Sequence, residues 1–455
     1  MEPPVAARHV VDHPATNLAG RAATVMGLGT HGGGVAAARW LAQQGARVTI
    51  SDQAQESALA DALRSLNDVP IARWSLGGHR WEDFATADLV VVNPAVPPHS
   101  PWLKRLAAER TARLTSEIEL FLERCPAVVV GVTGTVGKST TASLLASALE
   151  AAGRHTWLGG NIGRSLLTDL PAIGPADVVV LELSSFQLHY LTDNARWPEV
   201  AVVTNLSENH LAWHGGFEGY AAAKRRLVEH AQAVAIDPAE ETLVAWIPPS
   251  AHRIEVSLGP KATTAQTWGR ALPGPHQQQN AALAAATAAA LGADQAAIAE
   301  GFATFRGLPH RLELVRSVAS RRLVNDSKAT TPAAVAAALA ACDAPTWLLV
   351  GGLDKGGDWS RVATLAAQRT RGVASFGQDA VRLAALLSAA GVNARPFGDL
   401  TQAGTWCWER ALPGDIILLS PGCASFDQFA DFTHRGEVFC RWAESLTAMV
   451  PPADS

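Results

Sequence analysis

Short apolar runs alternate with longer Ala-rich stretches along this chain, and the order predicts alternating strands and helices. In AATVMGLGTHGGGVAAARWLAQQGARVTISD an apolar strand enters a Gly-rich turn, then an Ala-rich helix and a second strand ending at Asp52. That is the order of a parallel βαβ unit. A further strand, ADLVVVNPAVP, breaks at a Pro-rich turn over residues 94–98, and the block closes around Glu117. A second block opens with AVVVGV (127–132), continues through VVVLEL (178–183) and EVAVVTN (199–205), and ends after NAALAAATAAALG. That last segment is compositionally simple, but alanine is the strongest helix former and Gly292 bounds the run, so it predicts a packed helix. FRGLP, residues 305–309, reads as a linker and predicts a pivot for closure of the segment beyond it. RRLVND, TWLLVGG, GVASFG and DIILLS then alternate with helical stretches as a third α/β block. No repeat of solenoid period is present.

At 455 residues the chain exceeds one ordinary core, and two or three domains are expected. Hydrophobic residues at 48% and charged residues at 17% describe a globular protein and exclude a disordered one. A net charge of −5 without a Lys/Arg run argues against nucleic acid and against a membrane surface as partner. No stretch reaches the roughly 20 apolar residues that span a bilayer, and the N-terminal residues carry no apolar run of a signal peptide. Cys125, Cys342, Cys407, Cys423 and Cys440 form no C-x-x-C pair; they read as reduced thiols, which fits the cytoplasm.

GVTGTVGKST, residues 131–140, follows a strand, precedes a helix and matches G-x-x-x-x-G-K-[ST]. Gly134 and Gly137 let backbone N–H groups approach phosphate oxygens, and the following helix points its positive end at them. Lys138 is expected on the β- and γ-phosphates, Ser139 on Mg²⁺ and Thr140 beside them. The whole pattern predicts an α/β fold of three domains. They are a Rossmann-like domain over residues 1–117, a central P-loop ATPase domain with a parallel sheet over 118–306, and a Rossmann-like domain over 307–455. The phosphate loop alone does not say what is phosphorylated.

Further motifs follow in fixed order: GGNIG (159–163), ELSSFQL (182–188), TNLSENHL (204–211), YAAAKRRL (220–227) and LPGPHQQQNAALA (272–284). GLPHRLELV (307–315), NDSKAT (325–330), GGLDKGGD (351–358) and SPGCASFDQF (420–429) complete the series. Together they resemble the Mur ligase family, over nearly the whole chain and on its glutamate-adding branch. The resemblance implies ATP-driven activation of a carboxylate as an acyl phosphate, attack by an amino group and formation of an amide. It implies UDP-N-acetylmuramoyl-L-alanine and D-glutamate as substrates, with L-glutamate or another amino acid as the alternative, two Mg²⁺ ions and a monomer. Chemistry of this kind needs positioning and charge neutralisation more than a strong acid or base.

Residue by residue, the resemblance makes Glu182 a Mg²⁺ ligand, where a surface carboxylate is the alternative, and His210 the second metal-site residue. Lys224 matches a lysine that carries a carbamate formed with CO₂, which replaces a cation near Mg²⁺ with an anionic oxygen ligand; the alternative is a helix-surface lysine beside Arg225 and Arg226. Asn161 and Ser184 are implied contacts of the muramoyl-alanine portion, and Asn280 of adenine, with an ordinary helix-start Asn as its alternative. Arg311 and Asp326 are implied for ATP; Lys328, Thr330, Lys355, Ser425, Phe426 and Phe432 for the amino acid. Gly29, Thr30, His31, Asp52 and Asn93 are implied for the uridine diphosphate, although GLGTHGGG by itself equally fits an NAD site. Val136, Asn209, Ala212 and Gln277 depart from the family pattern, the middle two by removing carboxylates near His210.

Overall fold

Strands that are apolar on both faces must be covered on both faces, and parallel sheets between helix layers do this. The computed structural model describes residues 17–29, 32–109, 112–162, 164–257, 275–305, 310–354 and 356–446, with residues 275 and 276 described by their backbone only. Of the expected linker, residues 305–309, only Phe305 is described, and residues 306–309 lie outside them.

The first sheet has the order β3-β2-β1-β4-β5, from β1 (Ala22–Met26), β2 (Arg47–Ser51), β3 (Ile71–Ser75), β4 (Leu89–Val92) and β5 (Arg113–Thr115), all parallel. The second runs β11-β10-β9-β6-β8-β7 and is also parallel throughout. Its strands are β6 (Val128–Thr133), β7 (Thr156–Gly160), β8 (Val178–Glu182), β9 (Val200–Val203), β10 (Ala233–Ile236) and β11 (His252–Ile254). β6 lies between β8 and β9, so the chain leaves its C-terminal end at the crevice where open α/β sheets collect ligands.

These two sheets share one hydrophobic core and form one compact unit. Val25, Ile50 and Val91 of the first sheet belong to the same buried cluster as Val129, Leu181 and Val203 of the second. The helix Glu117–Leu122, capped by Ser116 accepting from the Glu119 N–H, supplies Ile118, Leu120 and Phe121 between them. The Ala-rich segment forms the helix Pro275–Ala290, as its composition predicts, and packs with the helix Gln295–Thr304 against Lys138–Ala151.

The described residues from 310 onward form the second unit. Its sheet runs β12-β13-β17-β14-β15-β16, from β12 (Glu313–Val318), β13 (Arg321–Asn325), β14 (Thr346–Gly351), β15 (Thr370–Phe376), β16 (Ala394–Phe397) and β17 (Ile416–Gly422). Only the β12–β13 pair is antiparallel. Helices Pro332–Ala341, Ser360–Arg369 and Ala380–Ala389 cover one face, and Leu400–Arg410 with Phe432–Ser445 the other.

All five cysteines are free thiols, and burial pushes Cys125 up to about 11, so it is inert at neutral pH. Among the described residues no helix is long and apolar enough to cross a membrane.

A buried ion pair joins the two central strands of the second sheet. Glu199 accepts from Arg196 at 2.9 Å and from the Val129 N–H at 2.8 Å, while Arg196 also donates to the carbonyls of Ala127, at 2.8 Å, and Cys125. Glu199→Ala leaves a buried guanidinium and a strand N–H without their acceptor. We expect a loss of about 3–5 kcal/mol, read as a lowered thermal and urea midpoint; an unchanged midpoint would contradict this role.

Candidate active site

The phosphate loop joins β6 to the helix Lys138–Ala151, and its geometry depends on Gly137, which sits at φ 85° as that helix's N-cap. A Cβ there would overlap the side-chain oxygen of Asn280. Asn280 is buried in the second turn of its helix, so the helix-start alternative does not hold; it packs against the loop. Asn205 braces the loop from the end of β9: its carbonyl accepts from the Thr135 N–H at 3.0 Å, its side-chain oxygen from the Val136 N–H at 3.0 Å, and its amide donates to the Val136 carbonyl at 2.9 Å. Thr204 Oγ1 donates to the same carbonyl at 2.5 Å. The Val136 side chain is 67% exposed, which explains why an apolar residue is tolerated: the loop holds that position by its backbone. Lys138 Nζ donates to the Thr135 carbonyl at 2.9 Å, and Thr140 is half-buried in the first helical turn.

Glu182 ends β8 and is 2% exposed. One carboxylate oxygen accepts from Ser139 Oγ at 2.5 Å and the other from Asn161 Nδ2 at 2.7 Å. Lys224, on the helix Phe217–His230, is 1% exposed. Its Nζ donates to the Gly134 carbonyl at 2.8 Å and to Thr133 Oγ1 at 3.2 Å, and lies 4.8 Å from the Tyr220 ring centre. Burial, followed by the Lys138 charge and opposed by Glu182, brings this amine down to about 7. Both surface alternatives, for Glu182 and for Lys224, are therefore excluded by their burial.

His210 is exposed at φ 51°, with its ring 4.7 Å from that of Phe186. Partial burial and then the charges of Lys138 and Lys224 lower its pKa, so it lies within their field as a neutral imidazole. Ser184 is engaged in a capping box with Gln187 at the start of the helix Ser185–Tyr190.

On the first sheet, Asp52 accepts from the Leu28 and Gly29 N–H groups at 2.7 and 3.2 Å and from Ala54 at 2.8 Å. Asn93 Nδ2 donates to the Gly27 carbonyl at 3.0 Å. Both side chains thus brace the Gly-rich turn after β1; Thr30 and His31 lie outside the described residues.

In the second unit, Asp326 is buried and accepts from Ser420 Oγ at 2.8 Å and the Leu312 N–H at 3.2 Å, with burial pushing its carboxyl up to about 7. Arg311 is exposed and its charge opposes that rise. Lys328 Nζ lies 5.4 Å from the Phe432 ring centre, Thr330 is half-buried, Ser425 is buried and Phe426 is 69% exposed; Lys355 lies outside the described residues. Sequence reading missed Arg435. This buried guanidinium donates to Ser327 Oγ at 3.0 Å, the Ser327 carbonyl at 2.8 Å and the Cys423 carbonyl at 3.1 Å, tying the turn before Lys328 to the turn before Ser425. It also missed Asn205 and Tyr220. The i, i+4 spacing of Tyr220 and Lys224 on one helix face was the available signal for the latter.

Three family models match in chain order: the Mur ligase MurD-like N-terminal domain at residues 21–114, the Mur ligase middle domain at 132–287, and the Mur ligase glutamate ligase domain at 310–423. A UDP-N-acetylmuramoylalanine–D-glutamate ligase of Roseiflexus sp. is 38% identical over 94% of this chain and 100% of its own length. A protein of the same name from Symbiobacterium thermophilum is 35% identical over 93% of this chain and 98% of its own. Among solved structures, the UDP-N-acetylmuramate-alanine ligase MurC of Thermotoga maritima shares the fold with a TM-score of 0.57 at 19% identity, over 93% of this chain and 99% of that one.

The brace from Asn205 generates a prediction. Asn205→Ala removes two side-chain hydrogen bonds to Val136, and nucleotide affinity by calorimetry is expected to fall about tenfold with the fold intact. Wild-type affinity in that variant would show that the loop keeps its shape without the brace.

Proposed function

This chain belongs to the Mur ligase family, and we propose on that premise how its residues divide the work. It is an ATP-dependent ligase that joins D-glutamate to UDP-N-acetylmuramoyl-L-alanine in peptidoglycan precursor synthesis. The observation that carries this reading is the near-full-length identity to D-glutamate ligases. The γ-phosphoryl group of ATP passes to the acceptor carboxylate, giving an acyl phosphate and ADP. The amino group of D-glutamate attacks the acyl carbon, and the tetrahedral adduct expels phosphate to leave the amide.

Lys138 and the N–H groups of residues 134–140 hold the phosphates, and Asn280 takes the adenine side of ATP. Mg²⁺ suits the oxygens gathered beside them, because the Ser139 hydroxyl and the Glu182 carboxylate are buried hard donors 2.5 Å apart. Ser139 and Glu182 would hold that ion, with phosphate oxygens of the nucleotide as further hard donors. When bound, Mg²⁺ neutralises charge on the transferred phosphoryl group. His210 and a carbamate on Lys224 serve a second ion. The Lys224 amine suits carbamate formation because only the neutral amine bonds to the carbon of CO₂, releasing a proton, and burial maintains a neutral fraction near pH 7.

Asn161 and Ser184 take the muramoyl-alanine portion, and the Gly-rich turn braced by Asp52 and Asn93, with Thr30 and His31, takes the uridine diphosphate. From the second unit, Arg311 and Asp326 serve ATP, while Lys328, Thr330, Lys355, Ser425, Phe426 and Phe432 take D-glutamate, whose two carboxylates require cations and hydroxyls. The protein works as a cytoplasmic monomer.

Phosphate release from ATP with UDP-N-acetylmuramoyl-L-alanine and single amino acids tests the substrate. D-glutamate is expected to exceed all others; equal turnover with L-glutamate or a diamino acid would overturn the assignment. For the carbamate, Lys224→Ala is expected to lose nearly all ligation while retaining nucleotide binding, and a short carboxylic acid should restore part of it. In the wild type, labelled bicarbonate should give a carbamate carbon signal that weakens as pH falls below about 7, because the charged amine does not add CO₂. Full activity in the unrescued variant would reduce Lys224 to a packing residue.

A further inference from the structure

We propose that Glu117 is a positioning residue for the acceptor site, acting through Ser165 on the turn that carries Asn161. The inference rests on the reading of Asn161 as an acceptor contact. Glu117 is 8% exposed, and burial pushes its carboxyl up to about 7. Its hydrogen bond comes from Ser165 Oγ, which also accepts from the Leu167 N–H at 3.2 Å. A buried carboxyl satisfied by one hydroxyl costs stability that an apolar side chain in the same place would not, so packing alone does not account for it.

The segment it holds leads directly to the reaction centre. Gly159 and Gly160 end β7, where a Cβ on Gly159 would overlap Leu166 and one on Gly160 would overlap the Glu182 carbonyl. The turn is therefore closed against Leu166 on one side and β8 on the other. Asn161 follows, with its N–H donating to the Glu182 carbonyl at 2.8 Å and its amide to the Glu182 carboxylate at 2.7 Å. Among the described residues of this segment, Asn161 is held by Glu182, Arg164 by Asp169, Ser165 by Glu117, and Leu166 by packing in the core. Glu117 opens the helix Glu117–Leu122, whose apolar face lies in the core shared by the first two sheets. That core is the rigid body against which the Asn161 turn is held. Without the Ser165 contact the turn keeps its Glu182 end and the packed Leu166 but loses its polar tie to the helix Glu117–Leu122, so Asn161 becomes less well aimed at a bound acceptor while the phosphate loop is untouched.

Steady-state kinetics of the full chain with each of the three substrates tests this. Glu117→Ala and Ser165→Ala should each raise KM for UDP-N-acetylmuramoyl-L-alanine about tenfold, leaving KM for ATP and D-glutamate near wild type. Glu117→Gln should keep the wild-type acceptor KM, because its amide oxygen still accepts from Ser165. The double alanine variant should be no worse than either single one, since both remove the same link. An unchanged acceptor KM in folded Glu117→Ala, an equal rise for all three substrates, or a Gln variant as impaired as Ala would each overturn the inference. If Glu117→Ala does not fold, Ser165→Ala alone decides. Asn161→Ala separates the two readings. A raised acceptor KM there with none in Glu117→Ala removes only this inference, whereas no rise in Asn161→Ala removes the acceptor reading on which it stands.

Discussion

The candidate site depends on a lysine amine buried against the Gly-rich turn after β6. Lys224 reaches the Gly134 carbonyl from a helix packed beside β6, and the charge it would carry there is opposed by desolvation and by Lys138. Such a group is tolerated only where its partners are fixed. Glu182 and Thr133 on the strands, and the Tyr220 ring one turn earlier on the same helix, supply that setting. The apolar strands β6, β8 and β9 make the crevice rigid enough to keep two buried charges and a glycine turn in register.

A second constraint concerns how the loop is shaped. Gly137 has no room for a side chain because Asn280 occupies the space, and Asn205 satisfies the backbone of Val136 on both sides. Val136 is thus held by its backbone while its side chain is exposed. The departures at Asn209 and Ala212 are different in kind, since both lie in the exposed segment around His210 and remove negative charge from it. Glu182 and Lys224 are the buried ionisable side chains beside the phosphate loop.

The shared core of the first two sheets gives the acceptor side a rigid frame. The helix after β5 contributes apolar side chains to that core and a carboxyl, Glu117, to the turn beyond β7. Packing and a polar contact thus come from one short element.

Much of this was legible in residue order alone. The alternation of apolar runs and helical stretches indicated β1, β2, β4, β6, β8, β9, β13, β14, β15 and β17, all of them interior strands of their sheets. The strands that escaped notice were β10 and the edges β3, β5, β7, β11, β12 and β16; an edge strand meets solvent along one side, and β3 and β16 show it in their mixed burial. The phosphate-loop pattern stands out in a short motif, whereas Glu182, His210 and Lys224 were singled out only by their place in the family's motif series. Burial was not legible, and it decides what those residues are. YAAAKRRL places three cations in a row, and nothing local separates Lys224, enclosed against Gly134, from Arg225 and Arg226, which form ion pairs with Glu229 and Asp193. Only long-range packing sets which face of that helix meets the sheet, so sequence determined the residue types available to the site, and the tertiary structure determined which of them are desolvated and therefore chemically altered.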